Sequence, residues 1–149
     1  MNGYRVQKAV REDSKAIWSI RYSPSVNSVS LDQTLRPFEE HDAWFQKKYF
    51  EQQGNYCFVL KNEIGEVVGY CRYDKNDDGL LVSIALSENV QGKGLGQFLL
   101  SESLNFLPTG SVVYATILKQ NIGSKKLFER NDFTLVSEDE NSFFFQKQI

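Results

Sequence analysis

Gln91-Gly92-Lys93-Gly94-Leu95-Gly96 sets three glycines at alternate positions between an apolar run, Leu80 to Leu86, and a leucine-rich stretch with helical spacing. Alternate glycines let the backbone pass close against something bulky. A helix opening behind them offers free backbone N–H groups and the positive end of its dipole. Strand, turn and helix N-terminus therefore form an anion site able to hold a phosphate or pyrophosphate without an arginine. Lys93 adds charge at its mouth, and Leu95 and Gln97 begin the helix. A tight turn with no ligand has the same local composition.

Spacing excludes two other phosphate loops. A dinucleotide fingerprint needs a glycine at the sixth place, where Gln97 stands, and an acidic residue some way on, where Val112 to Ile117 hold none. The phosphate loop of nucleotide hydrolases needs Ser or Thr after its lysine, and Lys93 is followed by Gly94.

Gln91-x-x-Gly94-x-Gly96 after an apolar strand resembles the acetyl-coenzyme A pyrophosphate loop of the GNAT family of N-acetyltransferases. A second stretch, Asn121-x-x-Ser124-x-x-x-Phe128-x-x-Asn131-Asp132-Phe133, is similar to that family's following helix. The resemblance covers almost the whole chain and departs in two places. Phe128 stands where many members have a tyrosine, and Asn131-Asp132 replaces a small-residue turn. The resemblance implies acetyl-coenzyme A as cosubstrate, with its pyrophosphate on Gln91, Gly92, Lys93, Gly94, Leu95, Gly96 and Gln97. It also implies a pantetheine arm paired to Ile84, Ala85 and Leu86 like an added strand, with Asn121, Ser124 and Phe128 beside it. A backbone N–H of that strand would polarise the acetyl carbonyl. Ser83 is either a ligand contact or a small strand residue, and Asn121 either bonds the pantetheine or caps a helix.

Acyl transfer from a thioester to an amine requires an unprotonated amine, a donor to the carbonyl oxygen and a way for the thiolate to leave. Family members with tyrosine at the position of Phe128 use it as the proton donor, and phenylalanine has no proton to give. A thiol with a pKa of about 8.5 leaves tolerably, so water or another hydroxyl would suffice. The alternative is a silent acetyl-coenzyme A binding module. His41, the only histidine, titrates near neutrality and lies at helical spacing with Trp44 and Phe45, which makes it the candidate base. A histidine among aromatics is also a common structural residue. Glu88, after the central strand, is the second candidate. Arg21 and Trp44 suit an anionic acceptor with a flat apolar face.

Ile20-Arg21, a Ser/Asn-rich loop, Glu40-His41-x-x-Trp44-Phe45 and Val82-Ser83-Ile84 further resemble the branch of the family that acetylates amino sugars carried on nucleotides. A small-molecule amine acceptor is implied, with protein N-terminal amines and polyamines as alternatives. Helical spacing turns Glu39 and Glu40 away from His41 and Phe45, which argues against a polyamine.

The elements that must position these residues follow from periodicity. A strand at Tyr4–Lys8 leads to a helix capped by Asp13 and stopped by Pro24. After the loop from Ser25 to Arg36, Pro37 starts a second helix. A hairpin of Tyr56–Leu60 and Glu66–Tyr73 precedes the central strand. The strand Val112–Ile117, the helix around Ser124–Arg130 and strands at Phe133–Val136 and Phe143–Phe145 follow. The expected fold is α/β: a mixed, mostly antiparallel central sheet flanked by helices. A helical crossover makes its central pair parallel, and the resemblance implies that this pair splays apart.

The chain's 149 residues fit one domain, 1–149, with a core that needs neither disulfide nor metal. A net charge of -2, without clusters of Lys and Arg, argues against nucleic acid. Cys57 and Cys71 lack a metal-ligand spacing and read as buried reduced thiols. No apolar run reaches signal-peptide or bilayer length, so a cytoplasmic protein without membrane contact, monomeric or homodimeric, is expected.

Overall fold

The structure is a computed structural model and describes residues 2–149. Seven strands form one sheet: β1 (Arg5–Lys8), β2 (Tyr56–Lys61), β3 (Val67–Lys75), β4 (Leu80–Leu86), β5 (Val112–Leu118), β6 (Thr134–Glu138) and β7 (Ser142–Gln148). Their spatial order is β1-β2-β3-β4-β5-β7-β6. All neighbours are antiparallel except β4 and β5. That parallel pair is joined only at Leu80↔Val113 and Leu81↔Tyr114. Beyond Leu81 both strands continue unpaired with each other, so the sheet opens into a V. This is the splayed central pair that the sequence resemblance implies.

Two apolar cores lie on the two faces of the sheet. On one, helix α4 (Leu95–Leu104) buries Leu95, Leu99, Leu100 and Leu104 against Phe58, Cys71, Tyr73 and Val113. Each fully buried leucine contributes about 1.5–3 kcal/mol by leaving water. The polar atoms of this core are paired, as Tyr73 Oη and Ser103 Oγ show at 2.7 Å. On the other face, helices α1 (Ser14–Arg21) and α3 (Phe38–Gln46) bring Ile17, Ile20 and Phe45 onto Cys57, Val59, Tyr70 and Ala85. Strand alternation divides β3 between the two: Cys71 and Tyr73 face the first core, Tyr70 the second.

Several local expectations are corrected. Asp13 makes no side-chain cap to α1; its carboxylate accepts the Val10 N–H at 2.9 Å, and a 3₁₀ turn, Arg11–Asp13, leads into the helix. Pro24 does not merely stop α1, which ends at Arg21. It opens a one-turn helix, α2 (Pro24–Asn27), where its missing N–H costs nothing. Helix α3 runs on into a π-turn, Lys47–Glu51. The last helix, α5 (Ile122–Arg130), ends at Asn131, and Asp132 takes φ 65°, the left-handed conformation that a small-residue turn would supply without strain. Asn131 secures the irregular turn: its Nδ2 donates to Gln97 Oε1 at 2.7 Å and to the Leu127 carbonyl at 2.9 Å.

Candidate functional site

The V between β4 and β5 is a cavity of about 280 Å³. Val82, Ser83 and Ile84 form one wall, Ala115 to Leu118 the other, and Asn121, Ser124 and Phe128 of α5 and its cap face in from the side. The open strands leave backbone N–H and C=O groups free to pair with an extended ligand. Asn121 is the N-cap of α5, its Oδ1 accepting the Ser124 N–H at 3.2 Å. Phe128 is 3% exposed and packs edge-on against Phe133 at 4.9 Å. Ala85 is buried opposite Tyr70, and Leu86 ends the strand.

The glycine turn sits just beyond that end. Gln91 Nε2 donates to the Leu86 carbonyl at 3.0 Å, which ties the turn to β4. Gly92 and Gly94 have φ of 76° and 79°, and a Cβ on either would meet nothing within 4 Å. Gly94 is the N-cap of α4, and its carbonyl accepts the Phe98 N–H, so the N–H groups of Leu95, Gly96 and Gln97 point out of the helix end without an intrahelical partner. Gly96 instead faces Leu127, whose Cδ2 would lie 3.6 Å from an added Cβ. That is ordinary contact, so neither packing nor backbone conformation requires a glycine at this third position. Lys93 is exposed on the turn.

A second cavity, about 360 Å³, lies between α1, α3 and the face of β2 and β3. It contains the three arginines Arg21, Arg36 and Arg72, the carboxylates Asp32 and Glu40, and an aromatic wall that includes Tyr22, Trp44, Phe45 and Tyr49. Arg36 donates to Glu40 at 2.7 Å and to Asp32 at 3.3 Å. Arg21 donates to Asn27 Oδ1 at 2.9 Å and to the Asp32 carbonyl at 2.7 Å, without a carboxylate partner among these bonds. Arg72 pairs with Asp74 and lies 5.2 Å over the Trp44 ring, while Tyr49 O–H donates to the same carboxylate. Four residues, Arg21, Asp32, Tyr70 and Arg72, line both cavities, which therefore adjoin.

His41 lines the second cavity, 5% exposed, with its ring stacked on Phe45 at 5.8 Å. Its Nε2 is buried without a hydrogen-bond partner. Burial pushes its pKa below the ordinary value, with a further contribution from Arg72 and Arg21 that the Ser14 backbone and Asp42 only partly offset. The folded state therefore holds fewer protons than the unfolded one as pH drops through about 6.5. His41 contributes stability above that pH that is lost on acidification. Chemical denaturation between about pH 8 and 5 should show this loss, and His41→Leu should flatten it. An unchanged slope would contradict a buried neutral imidazole.

The sequence-predicted residues are thus distributed over three places. Arg21, His41 and Trp44 share the arginine cavity; Ile84, Asn121, Ser124 and Phe128 share the strand gap; residues 91–97 form the turn beyond it. Glu88 is brought to neither cavity, because the 3₁₀ turn Glu88–Val90 carries its side chain into solvent. Glu40 reaches the edge of the arginine cavity, bonded to Arg36 with its side chain still exposed. Sequence reasoning missed Asp32, Arg36, Tyr70 and Arg72. Only Arg72 had a signal, a charged side chain within the apolar run Val67–Tyr73. No helix among the described residues is long and apolar enough to cross a membrane.

Known proteins are similar to this chain in sequence or in fold. Acetyltransferase PseH of Campylobacter jejuni is 23% identical over 135 residues, 89% of this chain and 83% of its own. The phosphinothricin acetyltransferase of Sinorhizobium meliloti, solved with acetyl-coenzyme A, superposes with a TM-score of 0.83 at 22% identity, over 99% of this chain and 89% of its own. Spermidine N-acetyltransferase of Vibrio cholerae, solved with coenzyme A and spermine, gives 0.85 at 14% identity, over 99% and 96%. Residues 17–133 match the acetyltransferase (GNAT) family, and with most of its length inside that match the chain belongs to it.

Proposed function

We propose that the protein moves the acetyl group of acetyl-coenzyme A to the primary amine of a nucleotide-linked amino sugar. The pyrophosphate would sit on the N–H groups of residues 92–97, the pantetheine between β4 and β5, and the thioester at the wall shared by the two cavities. Ile84 and its neighbours supply the strand edge along which the arm pairs, and Asn121 and Ser124 offer polar groups to its amides. The acceptor would occupy the arginine cavity. The observation that carries this reading is the aromatic, arginine-rich cavity that joins the strand gap. A sugar offers an apolar face to Trp44, its phosphates offer charge to Arg21, and the unpartnered Nε2 of His41 awaits a polar group. A polycation fits less well, because both carboxylates of the cavity are already bonded to Arg36.

Release of free coenzyme A with a panel of amines tests the acceptor: a uridine-diphosphate amino sugar, spermidine and a peptide with an N-terminal alanine. The nucleotide sugar is expected to be consumed fastest, and Arg21→Ala to raise its KM more than it lowers kcat. Preference for spermidine or the peptide would overturn the acceptor while leaving acetyl transfer in place.

Phe128 leaves the thiolate without an aromatic hydroxyl at the α5 position. Phe128→Tyr is expected to raise turnover at most several-fold, since coenzyme A is a tolerable leaving group. A gain of orders of magnitude would show that the native chain lacks a step it needs.

A further inference from the structure

On the acetyl-transfer reading, the thioester comes through the strand gap and the amine through the arginine cavity, so they meet at the wall that both share. Attack requires a neutral amine, because an ammonium has no free lone pair. The wall offers little to remove its proton. Asp32 is bonded to the Thr34 N–H and to Arg36, which hold its pKa below the usual carboxylate range. Burial pushes the Tyr70 phenol up, so it stays neutral. Glu40 and His41 line only the arginine cavity.

The wall carries positive charge instead. Burial pulls the pKa of Arg72 down, but the paired Asp74 carboxylate pulls it up, so the guanidinium stays charged. Its position is fixed by Asp74 on one side and Trp44 on the other. Asp74 itself lines neither cavity, so the pair presents its positive end to the junction. Arg21 adds a second cation, whereas Arg36 is offset by Asp32 and Glu40, carboxylates that line the cavity beside it as Asp74 does not. Tyr49 and Cys57 are held neutral by burial.

We propose that Arg72 keeps the acceptor amine unprotonated at the junction. A fixed cation there disfavours the ammonium, whose proton leaves to solvent through the open cavity. The neutral nitrogen then forms its bond to the acetyl carbon. The carbon–sulfur bond breaks with its electron pair on sulfur, and the proton lost from the nitrogen ends on the thiolate. One amide, one free thiol and one proton in solution result for each ammonium consumed.

The test is the pH dependence of kcat at saturating amine and acetyl-coenzyme A from about pH 6 to about 10, with the panel amine that the unaltered protein acetylates fastest, because kcat reports the groups of the bound complex. Arg72→Met is expected to move the acidic limb up by about one pH unit, a roughly tenfold loss below it that disappears at high pH. Arg72→Lys should leave the limb in place. Asp74→Asn keeps the cation and removes its counter-charge, so the limb should move the other way. That arm tests the sign even if Arg72→Met folds poorly. An equal loss at every pH in Arg72→Met, or a stationary limb in Asp74→Asn, overturns the proposal. If the unaltered protein releases coenzyme A with no amine of the panel, acetyl transfer itself fails and the inference falls with it, an outcome distinct from a uniform loss in the variant.

Discussion

Gly94→Trp should fold and yet lose the thermal stabilisation that acetyl-coenzyme A gives the unaltered protein. Position 94 has φ 79°, so any L side chain costs about 1–2 kcal/mol there. The protein has no other objection, since a Cβ at this position meets nothing within 4 Å. The space a tryptophan would fill is the space over the free N–H groups that open α4. A ligand seated on those groups would be displaced, and a cosubstrate at a hundred times its Kd would forfeit about 2.7 kcal/mol of linked stability. Gly94→Ala separates the two effects: it carries the same conformational cost with far less bulk, and should retain a reduced shift. An undiminished shift in Gly94→Trp would falsify the assignment of the pyrophosphate to this turn.

That turn was legible in the sequence because every part of it is local. The apolar run, the alternate glycines and the leucine periodicity lie within one continuous stretch, and the structure keeps them as β4, a turn with two left-handed glycines and α4. The parallel pairing of β4 with β5 was legible for a similar reason, since a helical crossover admits one handedness and one direction. The arginine cavity was not. Its residues come from α1, the loop after α2, α3 and the sheet; its ion pairs are local, and what joins the pieces is packing between elements distant in sequence, such as Arg72 of β3 over the Trp44 ring of α3. Helical spacing predicts Glu40 on the solvent side, where its side chain is 54% exposed; what spacing does not show is the bond from Arg36 that sets it at the edge of the cavity. Arg72 is the clearest case: strand periodicity turns it to the same face as Tyr70, but only the folded chain shows Asp74 behind it and Trp44 above it. Glu88 differs in the opposite sense. Near the end of β4 in sequence, it lies exposed on the 3₁₀ turn Glu88–Val90 and lines neither of the two cavities described above.

Gly79→Val is expected to have the largest effect on folding, and the reason lies in the geometry of the V. The arms diverge from a base only two residue pairs long, Leu80↔Val113 and Leu81↔Tyr114. Gly79 enters that base with φ 149° and no side chain. A Cβ there would lie 2.4 Å from the Val112 carbonyl oxygen and 3.0 Å from Tyr114. The oxygen belongs to the backbone of the partner strand and cannot rotate aside, so the strands must separate where they are joined. Overpacking and a disfavoured φ together put the cost at about 2–5 kcal/mol, read as a lower denaturation midpoint. Gly110→Ala is the matched control, because Gly110 also has a positive φ, 93°, but open space where the Cβ would go. It should lose only the conformational part, about 1–2 kcal/mol. The consequence for function follows from the same displacement. Moving the base of the V changes the width of the gap at Ile84, where an inserted arm would find its partners, so Gly79→Val protein that remains folded should bind acetyl-coenzyme A more weakly than Gly110→Ala protein. Equal denaturation midpoints for the two variants would mean that β4 and β5 can part at their base without cost, and that something other than this close approach sets the angle of the gap.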